Sequence, residues 1–278
     1  MINKGLAPLI SLGDGVDMPQ LGLGTWPMND GEVEVAIGKA LENGYRLIDT
    51  AENYGNEVGV GAGIRKSTVP RGDIFLTTKL NKNWHSFEGV QTACENSLTR
   101  LGVDYIDLFL IHWPNPEQGR FVEAYEGLET LKKRGLVRAI GTSNFKTHHL
   151  KKLFENGHVP QLNQIQLDPY HRRDDIIELH KSKGIVTESW RPLGNGNSMM
   201  SENCVKEIAN THQVTPAQVL LRWQVQQGFV TCTKSADTSR QLENISIFDF
   251  NLTEPELDEL NNLERDDPEM LDSDSFGH

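Results

Sequence analysis

Short apolar runs alternate with amphipathic stretches along nearly the whole chain. Eight runs have the length and β-branched content of buried strands, at residues 20–23, 45–48, 73–78, 106–111, 137–141, 162–166, 185–189 and 229–232. Helical spacing of apolar residues predicts helices at 31–43, 57–66, 88–101, 120–134, 146–156, 174–183, 201–226 with a break at Pro216, and 238–246. Eight strands alternating with helices are what a closed barrel needs, so the pattern predicts an α/β fold, a (β/α)8 TIM barrel.

The same alternation also fits an open, doubly wound sheet, so a second feature has to decide between the two. A dinucleotide-binding open sheet carries a Gly-x-Gly-x-x-Gly turn after its first strand, and no such turn follows residues 20–23. The run Gly59-Val-Gly-Ala-Gly63 looks similar, but it lies inside a predicted helix and has the wrong spacing. We interpret these glycines as sites of close helix packing and favour the closed barrel.

Both ends of the chain carry features outside the barrel pattern. Residues 9–18 predict a β-hairpin around Gly13-Asp14-Gly15, because Asp-Gly readily adopts the positive φ angles of a tight turn. The acidic stretch 266–278 predicts a C-terminal tail over the barrel mouth. No composition break or linker divides the chain, so we expect one barrel domain spanning residues 1–278.

The composition argues against several classes of function. A formal net charge of −12 and a pI near 5.2 are unfavourable for general binding to nucleic acids or anionic membranes. Cys94, Cys204 and Cys232 lack the paired spacing of a zinc site or a disulfide framework. A few unpaired cysteines are typical of proteins in a reducing compartment. No apolar run reaches the ~20 residues of a membrane span, and the N-terminus lacks the apolar core of a signal peptide. We expect a cytoplasmic protein without membrane or nucleic-acid partners.

Four polar residues stand at or near the ends of successive predicted strands: Asp49, Tyr54, Lys79 and His112. In a barrel the carboxyl ends of the strands line one pocket, so these side chains are expected to converge. A free phenol has a pKa near ~10, and the Lys79 ammonium, held by Asp49, would favour the phenolate of Tyr54. His112 would donate a hydrogen bond to a substrate carbonyl. The set suits carbonyl reduction, which also requires a reduced nicotinamide or flavin as the hydride source.

The segments around these residues resemble the aldo-keto reductase family over almost the whole chain. The resemblance is carried by Gly44-Tyr-Arg-Leu-Ile-Asp-Thr-Ala51, Tyr54-Gly-Asn-Glu57, Thr77-Thr-Lys79, Asp104-Tyr-Ile-Asp-Leu108, Ile111-His-Trp-Pro114, Gly141-Thr-Ser-Asn144, Gln164 and Lys234-Ser235. It implies a monomeric, metal-free reductase in which Tyr54 is the general acid, Lys79 and Asp49 tune it, His112 orients the carbonyl and NADPH supplies hydride. The chain is most similar to prokaryotic 2,5-diketo-D-gluconate and methylglyoxal reductases, which implies a small carbonyl substrate such as a keto-sugar acid or a 2-oxoaldehyde.

The same resemblance implies the contacts with cofactor and substrate. The residues expected at the cofactor are Thr25, Trp26, Asp49, Ser143, Asn144, Gln164, Trp190, Arg191, Leu193, Asn195, Lys234, Ser235, Arg240, Glu243 and Asn244. Those expected at the substrate mouth are Trp26, Trp84, His112 and Trp113. In the first set Trp190 stacks on the nicotinamide, and Lys234, Ser235 and Arg240 meet the 2′-phosphate that distinguishes NADPH from NADH.

Four residues depart from the family pattern. Asp237 lies where a basic residue is common and would weaken the preference for a phosphate, while Arg191 replaces a small glycine and could offset that loss. NADPH is therefore the expected cofactor, with NADH as a second. Asn81 and Leu47 replace an aromatic residue and a histidine that are frequent in the family. These two changes do not affect the four residues predicted to carry the chemistry, but they leave the choice of substrate open.

Alternatives to the reductase interpretation also stay open. Taken alone, an Asp after a strand is often a cap, a strand-end Lys is often solvated, and His-Trp-Pro could be packing. The arrival of all these residues at three successive strand ends favours a site. The same barrel could be a Schiff-base aldolase with Lys79 as the nucleophile, or a non-catalytic NADPH-binding sensor or structural subunit.

Overall fold

The fold is a barrel of eight parallel strands preceded by a small hairpin. In this computed structural model, which describes residues 7–265 and 270–277, the hairpin consists of antiparallel strands β1 (Leu9–Ser11) and β2 (Asp17–Pro19). The barrel strands, in order around the barrel, are β3 (Leu21–Gly24), β4 (Leu47–Asp49), β5 (Phe75–Leu80), β6 (Ile106–Ile111), β7 (Val137–Ser143), β8 (Leu162–Gln166), β9 (Val186–Trp190) and β10 (Val230–Lys234), and β10 closes on β3. The predicted (β/α)8 TIM barrel is confirmed.

Ten helices surround the barrel in the part of the chain that the structure describes. They are α1 (Asp30–Glu42), α2 (Glu57–Lys66), α3 (Phe87–Leu101), α4 (Phe121–Lys133), α5 (Thr147–Glu155), α6 (Asp174–Lys183), α7 (Asn203–His212), α8 (Pro216–Gln226), α9 (Thr238–Ile245) and α10 (Glu254–Asn261). The stretch 201–226 is two helices because Gln213 ends α7 at a φ of 55° and Thr215 caps α8 at Pro216. Helix α10 has no counterpart among the predicted helices. Within the described ranges, no helix has the length and apolar character needed to cross a membrane.

Strands β4 and β5 extend further than their apolar runs predict. Barrel pairing continues through the polar residues: Asp49 is paired with Gly24 and Thr77, and Lys79 with Leu110. Asp49 is thus the last residue of β4, and Lys79 lies one residue before the end of β5. Both side chains are consequently positioned by the sheet and not by a loop, which favours a rigid site.

The apolar side chains form two cores. One lies between the helices and the outer face of the barrel and includes Ile37, Leu76 and Phe109. The other fills the barrel interior, where Leu47, Phe75, Leu108 and Val230 pack together with Leu12, Val16 and Met18 of the hairpin. Because these barrel residues stand at or near the amino ends of their strands, the hairpin closes that end, and the opposite end is available for a pocket.

The glycines of α2 lie where neighbouring helices approach closely. A Cβ atom on Gly59 would lie 2.3 Å from the carbonyl oxygen of Asp30, at the start of α1. A Cβ atom on Gly61 would lie 1.9 Å from the carbonyl oxygen of Leu101, at the end of α3. Only glycine permits backbones to come this near, so the interpretation of this run as helix packing is confirmed.

Residues 270–277 lie at the open end of the barrel. Lys146, which directly precedes α5, contacts both Asp272 and Asp274, and its Nζ lies 2.6 Å from Oδ2 of Asp274. His148 of α5 lies 2.8 Å from Oδ1 of the same carboxylate. The ring of Phe276 packs edge-on against Trp113, with ring centroids 4.8 Å apart. The predicted tail over the barrel mouth is confirmed for these residues, while 266–269 and 278 lie outside the described ranges.

Candidate active site

A cavity of about 480 Å³ opens at the carboxyl ends of the barrel strands. It is lined by Gly24, Thr25, Trp26, Pro27, Asp49, Tyr54, His112, Trp113, Ser143, Asn144, Gln164, Trp190, Arg191, Pro192, Leu193, Asn195, Cys232, Thr233, Lys234, Leu271 and Phe276. Three of the four residues predicted to carry chemistry are in this lining, namely Asp49, Tyr54 and His112. The fourth, Lys79, is fully buried and contacts the first two. The structure therefore brings all four together.

Lys79 donates hydrogen bonds to three oxygens. Its Nζ lies 2.6 Å from Oδ1 of Asp49, 2.9 Å from the carbonyl oxygen of Thr50 and 3.5 Å from the hydroxyl of Tyr54. The other carboxylate oxygen of Asp49 accepts from Nε2 of Gln164 at 2.8 Å. An ammonium group has three hydrogens to donate, so all of its capacity is used within this cluster.

The charges around Tyr54 differ from the predicted balance. Burial raises the pKa of Tyr54 above its ordinary value, and the nearby Lys79 only partly offsets that rise. For Lys79, burial alone would lower the pKa, but Asp49 and Tyr54 outweigh it and the pKa is raised. Lys79 therefore acts on the Tyr54 pKa in the predicted direction, but burial outweighs it and the net shift is upward. Tyr54 is a neutral phenol beside a firmly held cation.

His112 lies beside Tyr54, with ring centroids 5.7 Å apart and ring planes at 75°. Its main chain is fixed on both sides. The N–H donates to the carbonyl oxygen of Leu80 at 3.1 Å, and the carbonyl oxygen accepts from Nδ2 of Asn144 at 3.0 Å. Two side chains able to donate a hydrogen, a phenol and an imidazole, are thus held next to one another at the same cavity.

A second wall of the cavity is built from amide, hydroxyl and aromatic groups. Asn144, directly after β7, has a φ of 64°, donates to Oγ of Ser143 at 3.0 Å and accepts from Nε1 of Trp190 at 2.8 Å. The guanidinium of Arg191 lies 5.2 Å from the centre of the Trp190 ring, within the range of a cation–π contact. Oγ1 of Thr25 is buried and has no hydrogen-bond partner among the described residues.

Five residues predicted to bind cofactor or substrate are outside the cavity lining: Trp84, Ser235, Arg240, Glu243 and Asn244. The indole of Trp84 donates to the carboxylate of Glu52 at 2.9 Å. Asp237 caps α9 by accepting from the N–H of Arg240 at 2.9 Å, and its own N–H donates to Oγ of Ser235 at 3.1 Å. This capping is a physical reason for an acidic residue at position 237.

Some lining residues carried no usable signal in the sequence: Gly24, Pro27, Cys232, Thr233, Leu271 and Phe276. Leu271 and Phe276 belong to the tail, where no periodicity indicates which side chain turns toward the barrel. Cys232 could have been assigned to one face of β10 by the alternation of a strand, but alternation does not say which face is inside.

Two groups of potential metal ligands occur among the described residues, and their chemistry argues against a metal at either. In the first, His148 and His149 meet Asp274, but Nδ1 of His149 accepts from the N–H of Lys146, so the neutral ring carries its hydrogen on Nε2, the atom facing Asp274. In the second, Asp49, Glu188 and Cys232 cluster where the Lys79 ammonium already supplies the cation.

Known proteins match this chain over almost all of its length. The sequence model of the Aldo/keto reductase family matches residues 18–265. The chain is 42% identical to methylglyoxal reductase DkgA of Yersinia pestis over 97% of this chain and 99% of that protein. It is 44% identical to an aldo-keto reductase of Mycolicibacterium vanbaalenii over 97% and 98%. Among solved structures, a Gox0644 mutant in complex with NADPH superposes with a TM-score of 0.92 at 39% identity, covering 96% of this chain and 97% of that one.

Proposed function

The chain belongs to the aldo/keto reductase family, and on that premise we propose that it reduces a small aldehyde or ketone with Tyr54 as the acid that protonates the carbonyl oxygen. It is an NADP-dependent carbonyl-reducing enzyme. The proposed role of Tyr54 rests on one observation, the contact of the buried Lys79 ammonium with both Asp49 and the Tyr54 hydroxyl.

The residues at the cavity fit the cofactor. Ser143, Asn144 and Gln164 offer hydroxyl and amide groups of the kind that match a nicotinamide carboxamide. Arg191 and Lys234 are cations lining the cavity of a protein whose formal net charge is −12, as a phosphate-bearing ligand requires. The buried Thr25 hydroxyl, without a partner among the described residues, leaves a polar atom for a ligand to meet. We propose that these residues, together with Trp190, hold NADPH, and that NADH is a poorer second cofactor.

NADPH, when bound, supplies hydride to the carbonyl carbon. Tyr54 gives its hydroxyl proton to the carbonyl oxygen, and Lys79 stabilises the phenolate that remains. His112 donates a hydrogen bond to the same oxygen and fixes its position. Asp49 keeps the Lys79 ammonium in place and is itself held by the amide of Gln164. Each of these proposed roles is supported by the side chain's contacts in the cluster or by its place at the cavity.

The aldolase alternative is disfavoured by the state of Lys79. A Schiff-base nucleophile must be a neutral amine that a substrate can reach. Lys79 is fully buried, its pKa is raised by Asp49 and Tyr54 against the effect of burial, and its three hydrogens are all donated. A protonated Schiff base keeps only one N–H, so its formation at this position would break at least two of the three hydrogen bonds.

We propose a 2-oxoaldehyde or a keto-sugar acid as the substrate class, and methylglyoxal as the first compound to test. The Yersinia relative that covers nearly the whole chain is named as a methylglyoxal reductase. Trp26, Trp113 and Phe276 at the mouth also offer flat apolar surfaces to an aromatic aldehyde. A panel of methylglyoxal, an aromatic aldehyde and a keto-sugar acid separates these choices by their kcat/KM values.

The experiment that tests the proposal compares Tyr54→Phe with wild type in the loss of NADPH absorbance. We expect kcat to fall by about 10²–10⁴-fold, the usual contribution of a positioned general acid, while NADPH still binds because the ring is kept. Tyr105→Phe is the matched control. Tyr105 directly precedes β6, at the barrel end away from the cavity, with the Arg71 guanidinium 4.2 Å from its ring centre.

Two results would contradict the proposal in different ways. A Tyr54→Phe enzyme that reduces the same carbonyl at the wild-type rate would show that another group supplies the proton. Tight NADPH binding by the wild type without turnover of any compound on the panel would favour the sensor or structural role instead.

A further inference from the structure

A second carboxyl group is buried directly next to the proposed proton-transfer cluster. Glu188 lies in the middle of β9, pairs in register with Gln164 of β8 and is fully buried. Its Oε1 accepts from Sγ of Cys232 at 3.2 Å, and its Oε2 has no hydrogen-bond partner among the described residues. No step proposed above uses this residue, although a buried glutamate with an unpartnered oxygen is costly to keep.

Glu188 is close enough to Asp49 for the two carboxyls to compete for charge. A carboxylate oxygen of each and Sγ of Cys232 all lie within 4.8 Å of one another. Two carboxyls this close in a dry interior do not both ionise readily. Asp49 makes the close contacts, accepting from Nζ of Lys79 at 2.6 Å and from Nε2 of Gln164 at 2.8 Å. This geometry favours Glu188 as the carboxyl that keeps its proton.

The pKa of Glu188 differs from those of the neighbouring titratable groups. Burial, and after it Asp49, raises the pKa of Glu188 to about 8, against opposing effects of Lys79, Cys232 and Gln164. Burial raises the pKa of the Cys232 thiol well above its ordinary value. The pKa values of Lys79 and Tyr54 are raised as well. Of these four groups, Glu188 is the one whose pKa lies between neutral and mildly alkaline pH.

We propose that Glu188 is a positioning residue of the reductase reaction, a neutral carboxylic acid that leaves the Lys79 ammonium shared between Asp49 and Tyr54. When Glu188 loses its proton to solvent, the cluster gains a negative charge that competes for Lys79 and disfavours the phenolate Tyr54 must become. The inference rests on the proposed role of Tyr54 as the acid. Its consequence is an alkaline fall in the reduction rate that is set by Glu188.

The first test is the pH dependence of kcat for NADPH-dependent reduction in wild type and Glu188→Gln. Glutamine has nearly the shape of the protonated acid and does not ionise. For the wild type we expect kcat to fall about tenfold from about pH 6.5 to about pH 9, the effect of one pKa unit on the phenol. In Glu188→Gln the ratio of the two rates should be close to one. Glu178→Gln removes an exposed glutamate on α6 and should keep the wild-type ratio.

A second measurement observes the proton itself. Infrared difference spectra of the wild type between the same two pH values should show a buried carboxylic-acid carbonyl band that disappears on the alkaline side. The band should be missing in Glu188→Gln and present in Glu178→Gln. This readout needs no turnover, and the wild-type spectrum decides the protonation state even if the Glu188→Gln protein does not fold.

The two measurements have separate refuting outcomes. If the ratio of kcat at the two pH values is the same in Glu188→Gln and wild type, the positioning role is overturned. If the wild-type spectrum lacks the carboxylic-acid band, the proposed neutral state of Glu188 is overturned. If Tyr54→Phe is inactive while either of these occurs, the inference about Glu188 fails and the proposed function stands. If Tyr54→Phe is fully active, the proposed function fails, and the positioning role fails with it whatever the spectra show.

Discussion

Replacing Gly61 by alanine tests whether the glycines of α2 serve helix packing. The added Cβ would lie 1.9 Å from the carbonyl oxygen of Leu101, where real Cβ contacts are longer than 3.0 Å, so α2 and α3 must separate by about 1 Å. That carbonyl also accepts from the Arg65 guanidinium at 2.7 Å, so displacement weakens a second contact. Overpacking costs about 1–3 kcal/mol, and alanine regains about 1 kcal/mol of helix propensity. With a cost at the upper end, we expect a net loss of about 2 kcal/mol.

Gly38→Ala is the matched control, since it makes the same chemical change inside α1, where a Cβ would have no neighbour within 4 Å. It should stabilise the protein by up to about 1 kcal/mol. Urea denaturation gives both free energies of unfolding, and the melting temperature of Gly61→Ala should fall by about 4–8 °C. A Gly61→Ala protein as stable as Gly38→Ala would refute the packing argument. If Gly61→Ala instead keeps the stability of the wild type but loses affinity for NADPH, residues 59–63 would be a cofactor-binding loop.

Two further substitutions probe the cluster and the tail. Asp49→Asn leaves the fully buried Lys79 ammonium without its carboxylate, so we expect a loss of about 3–5 kcal/mol in unfolding free energy and of most reductase activity. An Asp49→Asn protein with the melting temperature of the wild type would contradict this expectation. Asp274→Asn removes an exposed partner of Lys146 and His148, so stability should change by less than about 1 kcal/mol. Because Phe276 follows on the same tail, KM for the carbonyl should rise with kcat unchanged, and an unaltered KM would show that these contacts do not position it.

The barrel and the convergence of its chemical residues could be predicted because both depend on short-range pattern. Eight apolar runs separated by helical stretches leave few other topologies, and residues at the carboxyl ends of such strands face one mouth. Asp49, Tyr54, Lys79 and His112 satisfy this rule through their place in the chain alone. Even an error of two residues in the end of β5 therefore did not displace Lys79 from the site.

Some contacts could not be predicted from the sequence, because a side chain has several possible partners and only the folded chain decides which one it meets. Trp84 could have faced the mouth, but the carboxylate of Glu52 accepts from its indole and it is outside the cavity lining. The prediction for the Tyr54 pKa considered only the charge of Lys79, whereas burial decides the direction of the net shift. Phe276 reaches Trp113 because the tail is held by contacts with Lys146 and α5, more than 120 positions earlier in the chain.

Glu188 shows how the charge balance of a buried cluster constrains its chemistry. Lys79 and Asp49 neutralise one another in the barrel interior, so the pair tolerates complete burial. An ionised Glu188 would leave this interior with a net negative charge beside the phenol that is proposed to lose its proton. Protonated, it keeps the interior neutral and leaves Tyr54 as the group on which negative charge develops during the reaction. The same neutrality that permits a lysine to be buried here therefore also favours proton release by Tyr54, and a single ionisation at Glu188 would disturb both.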